Sequence, residues 1–143
     1  MPIKHLFFIL TVICMLLLPS AVRAQQDEPQ VVNIPDPNLA AAIKNATGEN
    51  TITTHTMLAL RRLSASHHGI EDLTGLEHAH NLRILLLPDN NISDLSPLAE
   101  LKNLVSLDLQ NNNISDVSPL VGLINLKPHG GFYSALNIQS NLM

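Results

Sequence analysis

The chain has 143 residues, a formal net charge of −4 and one cysteine, Cys14. Without its first 24 residues it keeps six Lys or Arg (Lys44, Arg61, Arg62, Arg83, Lys102, Lys127) against twelve Asp or Glu. That acidic balance argues against nucleic acid and anionic membrane as partners. The remainder is long enough for one domain and must be held together by packing, because no cysteine is left for a disulfide.

Residues 1–24 read as a secretory signal peptide: Lys4 and His5 form a basic start, Leu6 to Leu18 is apolar apart from Thr11, and Val22-Arg23-Ala24 supplies the cleavage signal. The run is short of the roughly 20 residues needed to cross a bilayer. A retained signal anchor is the competing reading. Cys14 is a poor lipid-attachment site, since Ile13 stands where a small residue is wanted. The expectation is export to the periplasm, cell surface or medium, with no stable membrane insertion once the signal is removed.

Residues 25–32 are polar and charged with one proline, and predict a flexible lead-in. A helical cap is expected over 33–59. Asp36 can cap the first helix, Pro37 takes its first position, Leu39, Ala42, Ile43 and Ala46 follow the i, i+3, i+4, i+7 pattern, and Gly48 ends it. Thr53 can cap a shorter helical stretch through Met57 and Leu58.

From Leu60 the chain repeats every 22 residues. Leu82, Leu85, Leu87, Asn90 and Ile92 return as Leu104, Leu107, Leu109, Asn112 and Ile114, and Leu60, Leu63, Ala65, His68 and Ile70 occupy the same frame. The second half of the unit agrees: Asp72, Asp94 and Asp116, then Leu73, Leu95 and Val117, then Leu76, Leu98 and Leu120, Ala79, Leu101 and Leu123, and Asn81, Asn103 and Asn125. A period of this length means a solenoid of stacked turns, here three over 60–126. Within Leu-x-x-Leu-x-Leu the alternation predicts a strand with one buried face, so Leu85, Leu87, Leu107 and Leu109 point inward. Ser96-Pro97 and Ser118-Pro119 predict short 3₁₀ turns on the opposite side. Asn90 and Asn112 follow the strand, where their amides can bond the backbone of adjacent turns, and His68 can supply a similar donor less well.

After Leu126 the frame fails. Leu136, Ile138 and Asn141 reproduce the Leu-x-Leu-x-x-Asn spacing seven residues late, so 127–143 read as an insertion followed by a partial fourth repeat. An unstructured or frame-shifted end is the alternative. A fourth strand would leave an unpaired edge open to homo-association.

The unit LxxLxLxxNxIxDLxxLxxLxN, with Ile34-Pro35-Asp36, Ile52-Thr53-Thr54 and Gly75-Leu76 ahead of it, resembles the exported bacterial leucine-rich repeat proteins of the internalin type, over Val31 to Leu126. The resemblance implies an α/β fold: a right-handed solenoid with a parallel β-sheet on its concave face, 3₁₀ turns on its convex face, a helical N-terminal cap and an asparagine ladder. It names no ligand, because that family binds many unrelated ones.

Three constellations invite chemical readings. His67, His68, His78 and His80 cluster in sequence, but the repeat frame puts the first pair where a strand ends and the second before the next begins, roughly 15–20 Å apart. A metal ion needs its ligands within about 2.1 Å. Asp72, Asp94 and Asp116 could line up for calcium, or each can bond backbone N–H groups two residues on. The second reading is the stronger. Asn45-Ala46-Thr47, Asn91-Ile92-Ser93 and Asn113-Ile114-Ser115 match a glycosylation triplet, and the last two follow from the repeat itself. No cofactor, metal site or catalytic constellation is expected.

What remains is the outward face of the sheet: Arg62, Ser64 and Ser66, then Ile84, Leu86 and Pro88, then Ser106, Asp108 and Gln110. Apolar Ile84 and Leu86 lie between a basic edge at Arg61, Arg62 and Arg83 and an acidic one at Asp108, which suggests a site for a protein or peptide, or a glycan. Equally, Ile84 and Leu86 can be plain strand formers. Four strands about 4.8 Å apart offer a few hundred Å², short of the roughly 800 Å² per partner of a standard interface. The alternatives to a non-catalytic binding module are a structural fragment that self-associates through its C-terminal edge and a metal-dependent hydrolase using the histidines.

Overall fold

The computed structural model describes residues 28–126, 136, 137 and 141. The expected signal peptide, the start of the expected lead-in and most of 127–143 lie outside the described residues.

Two helices open the described chain, α1 (Pro37–Thr47) and α2 (Thr54–Ala59). The Asp36 carboxylate accepts the N–H groups of Asn38 and Leu39, Pro37 follows it where no donor is lost, and Gly48 closes α1 in the left-handed region at φ 75°. Thr53 caps α2 by accepting the Thr56 N–H. The end of the expected flexible lead-in is pinned: Val32 N–H donates to Ile52 O at 2.9 Å and Thr54 N–H to Gln30 O at 2.8 Å. Val31 and Thr53 form an isolated antiparallel bridge. Leu39, Ala42, Ile43 and Met57 turn their side chains into the core, so the cap shields the first turn of the array from water.

Each turn then supplies one short strand: β1 (Arg62–Ser64), β2 (Ile84–Leu86), β3 (Ser106–Asp108) and β4 (Leu136–Asn137). They pair in parallel in chain order, with Leu63, Leu85, Leu107 and Leu136 in register. Three 3₁₀ turns, Leu76–His78, Ser96–Leu98 and Ser118–Gly122, form the other side. Pro97 and Pro119 start two of them; Gly75, at φ 98°, leads the first. The parallel sheet and the 3₁₀ turns are those the sequence predicts.

Between these sides the repeat frame becomes stacked columns of buried side chains. Leu63, Leu85 and Leu107 make one, Leu60, Leu82 and Leu104 another, and Ile70, Ile92 and Ile114 a third. Each fully buried leucine or isoleucine contributes about 1.5–3 kcal/mol of transfer free energy. No disulfide is needed to hold such a stack.

The buried asparagines join turn to turn. Asn90 Oδ1 accepts the N–H groups of His68 (3.1 Å) and Ile70 (3.0 Å), while Nδ2 donates to Ala65, Leu87 and Pro88 carbonyls. Asn112 does the same one turn on, accepting from Ile92 and donating to Leu87, Leu109 and Gln110. Asn141 continues the ladder beyond the seven-residue offset, accepting from Asn112 and Ile114 and donating to Leu109. His68 does not play this part. Its ring is exposed and meets only Ser66 O at 2.7 Å, because the next element inward is the cap rather than another turn. The first turn is tied by Asp36, whose second oxygen accepts the N–H groups of Glu71 (2.7 Å) and Asp72 (3.1 Å).

Candidate functional site

The register fixes what the outer face of the sheet displays. Arg62, Ile84 and Ser106 form one row and Ser64, Leu86 and Asp108 the next. Backbone bonds carry the pairing past the strand ends, from Ala65 N–H to Leu86 O, Leu87 N–H to Asp108 O, His67 N–H to Pro88 O and Asp89 N–H to Gln110 O. Ser66, Pro88 and Gln110 therefore make a third row. All nine residues singled out from the sequence lie on this face.

Its relief differs from the expected rimmed apolar patch. Arg62 and Ser64 are exposed, but Ile84 and Leu86 are half-buried, since the middle strand is flanked on both sides by neighbours about 4.8 Å away. Large exposed hydrophobics among the described residues lie elsewhere, at Val31, Leu58, Val121 and Ile124. The Asp108 carboxylate turns back to accept the Gln110 N–H at 3.1 Å, so the acidic margin is fixed to its own strand.

Two polar rows border this face, and sequence reasoning assigned neither. Where the strands end, His67, Asp89 and Asn111 all adopt the left-handed region, with φ of 58°, 57° and 53°. Their side chains touch in sequence: His67 Nε2 lies 3.3 Å from Asp89 Oδ2, and Asn111 Nδ2 donates to Asp89 Oδ1 at 2.8 Å. The 22-residue spacing of these positions was the available signal, hidden because three residue types occupy them. Where the strands begin, Asn81, Asn103 and Asn125 each donate to a carbonyl of the preceding segment, Leu58, His80 and Lys102 respectively. Beside them Arg61 and Arg83 line a groove of about 470 Å³. A larger hollow of about 770 Å³ lies between the cap and the first turn, with Glu49, His55, Arg61 and Arg62 on its walls.

The histidines do not assemble. Among the described residues no group of three His, Cys, Asp or Glu side chains could hold a metal ion, and His78 meets only Glu77 at 3.9 Å. The aspartates close their own turns: Asp72 accepts from Thr74 N–H, Asp94 from Ser96 N–H (2.9 Å) and Oγ (2.6 Å), and Asp116 from the same two groups of Ser118. The Ser96 hydroxyl and then its N–H hold the Asp94 carboxyl below its ordinary value, against slight desolvation and the charge of Asp116. Ser118 does the same for Asp116. No serine hydroxyl is hydrogen-bonded to a histidine ring among the described residues.

This geometry has known counterparts. The family described as Leucine Rich repeats (2 copies) matches residues 80–122, the second and third turns. The structure of internalin inlF from Listeria monocytogenes superposes with a TM-score of 0.66 at 30% identity, over 70% of this chain. The chain carries an internalin-type leucine-rich repeat array. Internalin C2 (inlC2) of the same organism matches the array at 33% identity, with a TM-score of 0.54 over 71% of this chain. A Clostridium perfringens ZmpB structure of INT domains and CBM51-2, the latter in complex with GlcNAc, is 43% identical with a TM-score of 0.54 over 57% of this chain. The internalin-type chain spans 31% of inlF, 57% of inlC2 and 18% of the ZmpB chain. Among curated protein sequences it has no match. No described helix is long and apolar enough to cross a membrane.

Proposed function

We propose that this internalin-type array is a non-catalytic module that binds a protein or peptide through the outer face of its sheet, from Arg62 to Gln110, outside the cytoplasm. The observation that carries the reading is the register. It gathers nine outward side chains from three turns into one continuous surface, while stability rests on the leucine columns and the asparagine ladder beneath. Half-buried Ile84 and Leu86 at the centre, between exposed Arg62 and turned-back Asp108, give an apolar middle with charge on both flanks. A glycan is the other ligand to weigh, since one similar structure contains a GlcNAc complex of its CBM51-2.

The experiment is affinity capture with the array and with an Ile84→Ser/Leu86→Ser variant of equal thermal stability. Partners kept by the variant at unchanged affinity would remove the outer face from the account.

A second reading rests on β4, which pairs β3 and has no strand on its other side among the described residues. Self-association would use that edge. Light scattering over a concentration series separates the two, because a strict monomer at high concentration leaves only the first.

A further inference from the structure

We propose a second binding site along the edge where the strands begin: a groove that takes an acidic peptide segment through Arg61 and Arg83. It is separate from the outer face, so either site can fail while the other stands.

The first observation is charge placement. The chain is acidic overall, yet Arg61 and Arg83, two of the three arginines of the described residues, line this groove together. No carboxylate lines the groove, whose walls are Arg61, Asn81, Arg83, Asn103, Val105 and Asn125. Arg61 and Arg83 occupy one frame position on successive turns, where like charges repel. The fold gives little back: the Arg83 guanidinium has no hydrogen bond or ion pair among the described residues, and Arg61 uses one guanidinium nitrogen on Leu58 O at 2.8 Å. Both side chains are exposed and line the groove. A guanidinium fork matches a carboxylate with two parallel bonds, a geometry lysine lacks, and the described lysines lie outside the groove.

The second observation is the amide row. Asn81, Asn103 and Asn125 spend their Nδ2 groups on carbonyls of the turn before, and their Oδ1 atoms accept from no described residue. Acceptors then stand in a row beside donors of positive charge. An extended polypeptide with acidic side chains presents the complement, backbone N–H groups to the amide oxygens and carboxylates to the guanidinia. Val105 gives the groove an apolar wall for the chain's methylenes. The groove crosses three turns about 4.8 Å apart, room for roughly three extended residues at 3.3 Å each.

The test uses the full chain and fluorescein-labelled hexaglutamate, read by anisotropy at low ionic strength, with hexaglutamine and an oligogalacturonate as further probes. Hexaglutamate binds, hexaglutamine does not, and the affinity falls as salt screens the pairs. Arg61→Gln/Arg83→Gln weakens hexaglutamate binding roughly tenfold, whereas Ile84→Ser/Leu86→Ser leaves it unchanged. Circular dichroism and the melting temperature confirm that both variants fold; Arg83→Gln alone, at an exposed side chain, gives a smaller loss in the same direction if the double variant does not fold. Equal affinity in the arginine variants, binding of hexaglutamine, or tighter binding of oligogalacturonate than of hexaglutamate overturns the proposal.

Discussion

Asp36 Oδ2 accepts the backbone N–H of Glu71 at 2.7 Å, a contact across 35 residues that ties the capping helix to the first repeat. The same carboxylate accepts from Asn38, Leu39 and Asp72, so one buried side chain serves as helix cap and as the joint between cap and array. Asp36→Ala strands four donors where an ordinary cap strands one or two. The expected loss is about 2–4 kcal/mol by urea denaturation, beyond the roughly 1 kcal/mol of a helix cap alone.

Acid should act through that joint. Burial opposes the charge on Asp36, but the N–H groups of Glu71, Leu39, Asp72 and Asn38 together outweigh it and hold the carboxyl below its ordinary value. A depressed folded-state value gives stability that is complete above the unfolded value of about 4 and is lost as pH falls through the folded one. Melting curves from pH 7 to pH 2 should show the loss below about pH 4, and Asp36→Asn should flatten it. An unchanged acid slope in Asp36→Asn counts against this role.

The two asparagine columns should differ in cost. Asn90→Ala leaves the His68 and Ile70 N–H groups and the Ala65 carbonyl without a partner in a buried strip, while Leu87 O keeps Asn112 Nδ2 and Pro88 O keeps the His67 N–H, a loss of about 2–4 kcal/mol. Asn103→Ala removes one exposed bond to His80 O, and about 1 kcal/mol or less is expected. Chemical denaturation of both variants checks the ordering.

Gly75 stands where the N-terminal segment crosses the first turn. A Cβ there would collide with Ile34 Cδ1 and lie 2.9 Å from Asn33 O, at a φ of 98° that side-chain-bearing residues avoid. Gly75→Ala should cost at least about 2 kcal/mol and loosen the cap before the array, seen as faster amide exchange at Val32 than at Leu107.

Much of this was legible in the sequence. The 22-residue period exposed the inward leucines, the ladder asparagines and the Ser-Pro turns, because each turn meets nearly the same surroundings as its neighbours. Asp36 was legible as a cap from its place before Pro37, but its reach to Glu71 was not, since no local pattern records a partner so distant. His68 misled for a related reason: the frame assigns it a ladder place, yet no turn precedes it. The Asn81, Asn103 and Asn125 column was visible as repetition without a role, and the groove beside it arises only when turns stack. Ile84 and Leu86 were placed on the correct face, but their half-burial depends on flanking strands that a single strand's alternation does not describe.

The turn aspartates offer a local check. Carboxyl carbon titration by NMR should find the Asp94 and Asp116 midpoints below the ordinary aspartate value, held there by the Ser96 and Ser118 hydroxyls and N–H groups. Ser96→Ala and Ser118→Ala should move them up. Both groups are solvent-exposed, so stability should barely follow.

Polypeptide binding is proposed for the outer face of the sheet. Its most direct measurement is quantitative mass spectrometry of extracellular protein retained by the immobilised chain, compared with the Ile84→Ser/Leu86→Ser variant. A protein held by the parent chain and at least about tenfold depleted on the variant is the expected result. The same proteins retained equally on both, or carbohydrate as the only material retained, would contradict it.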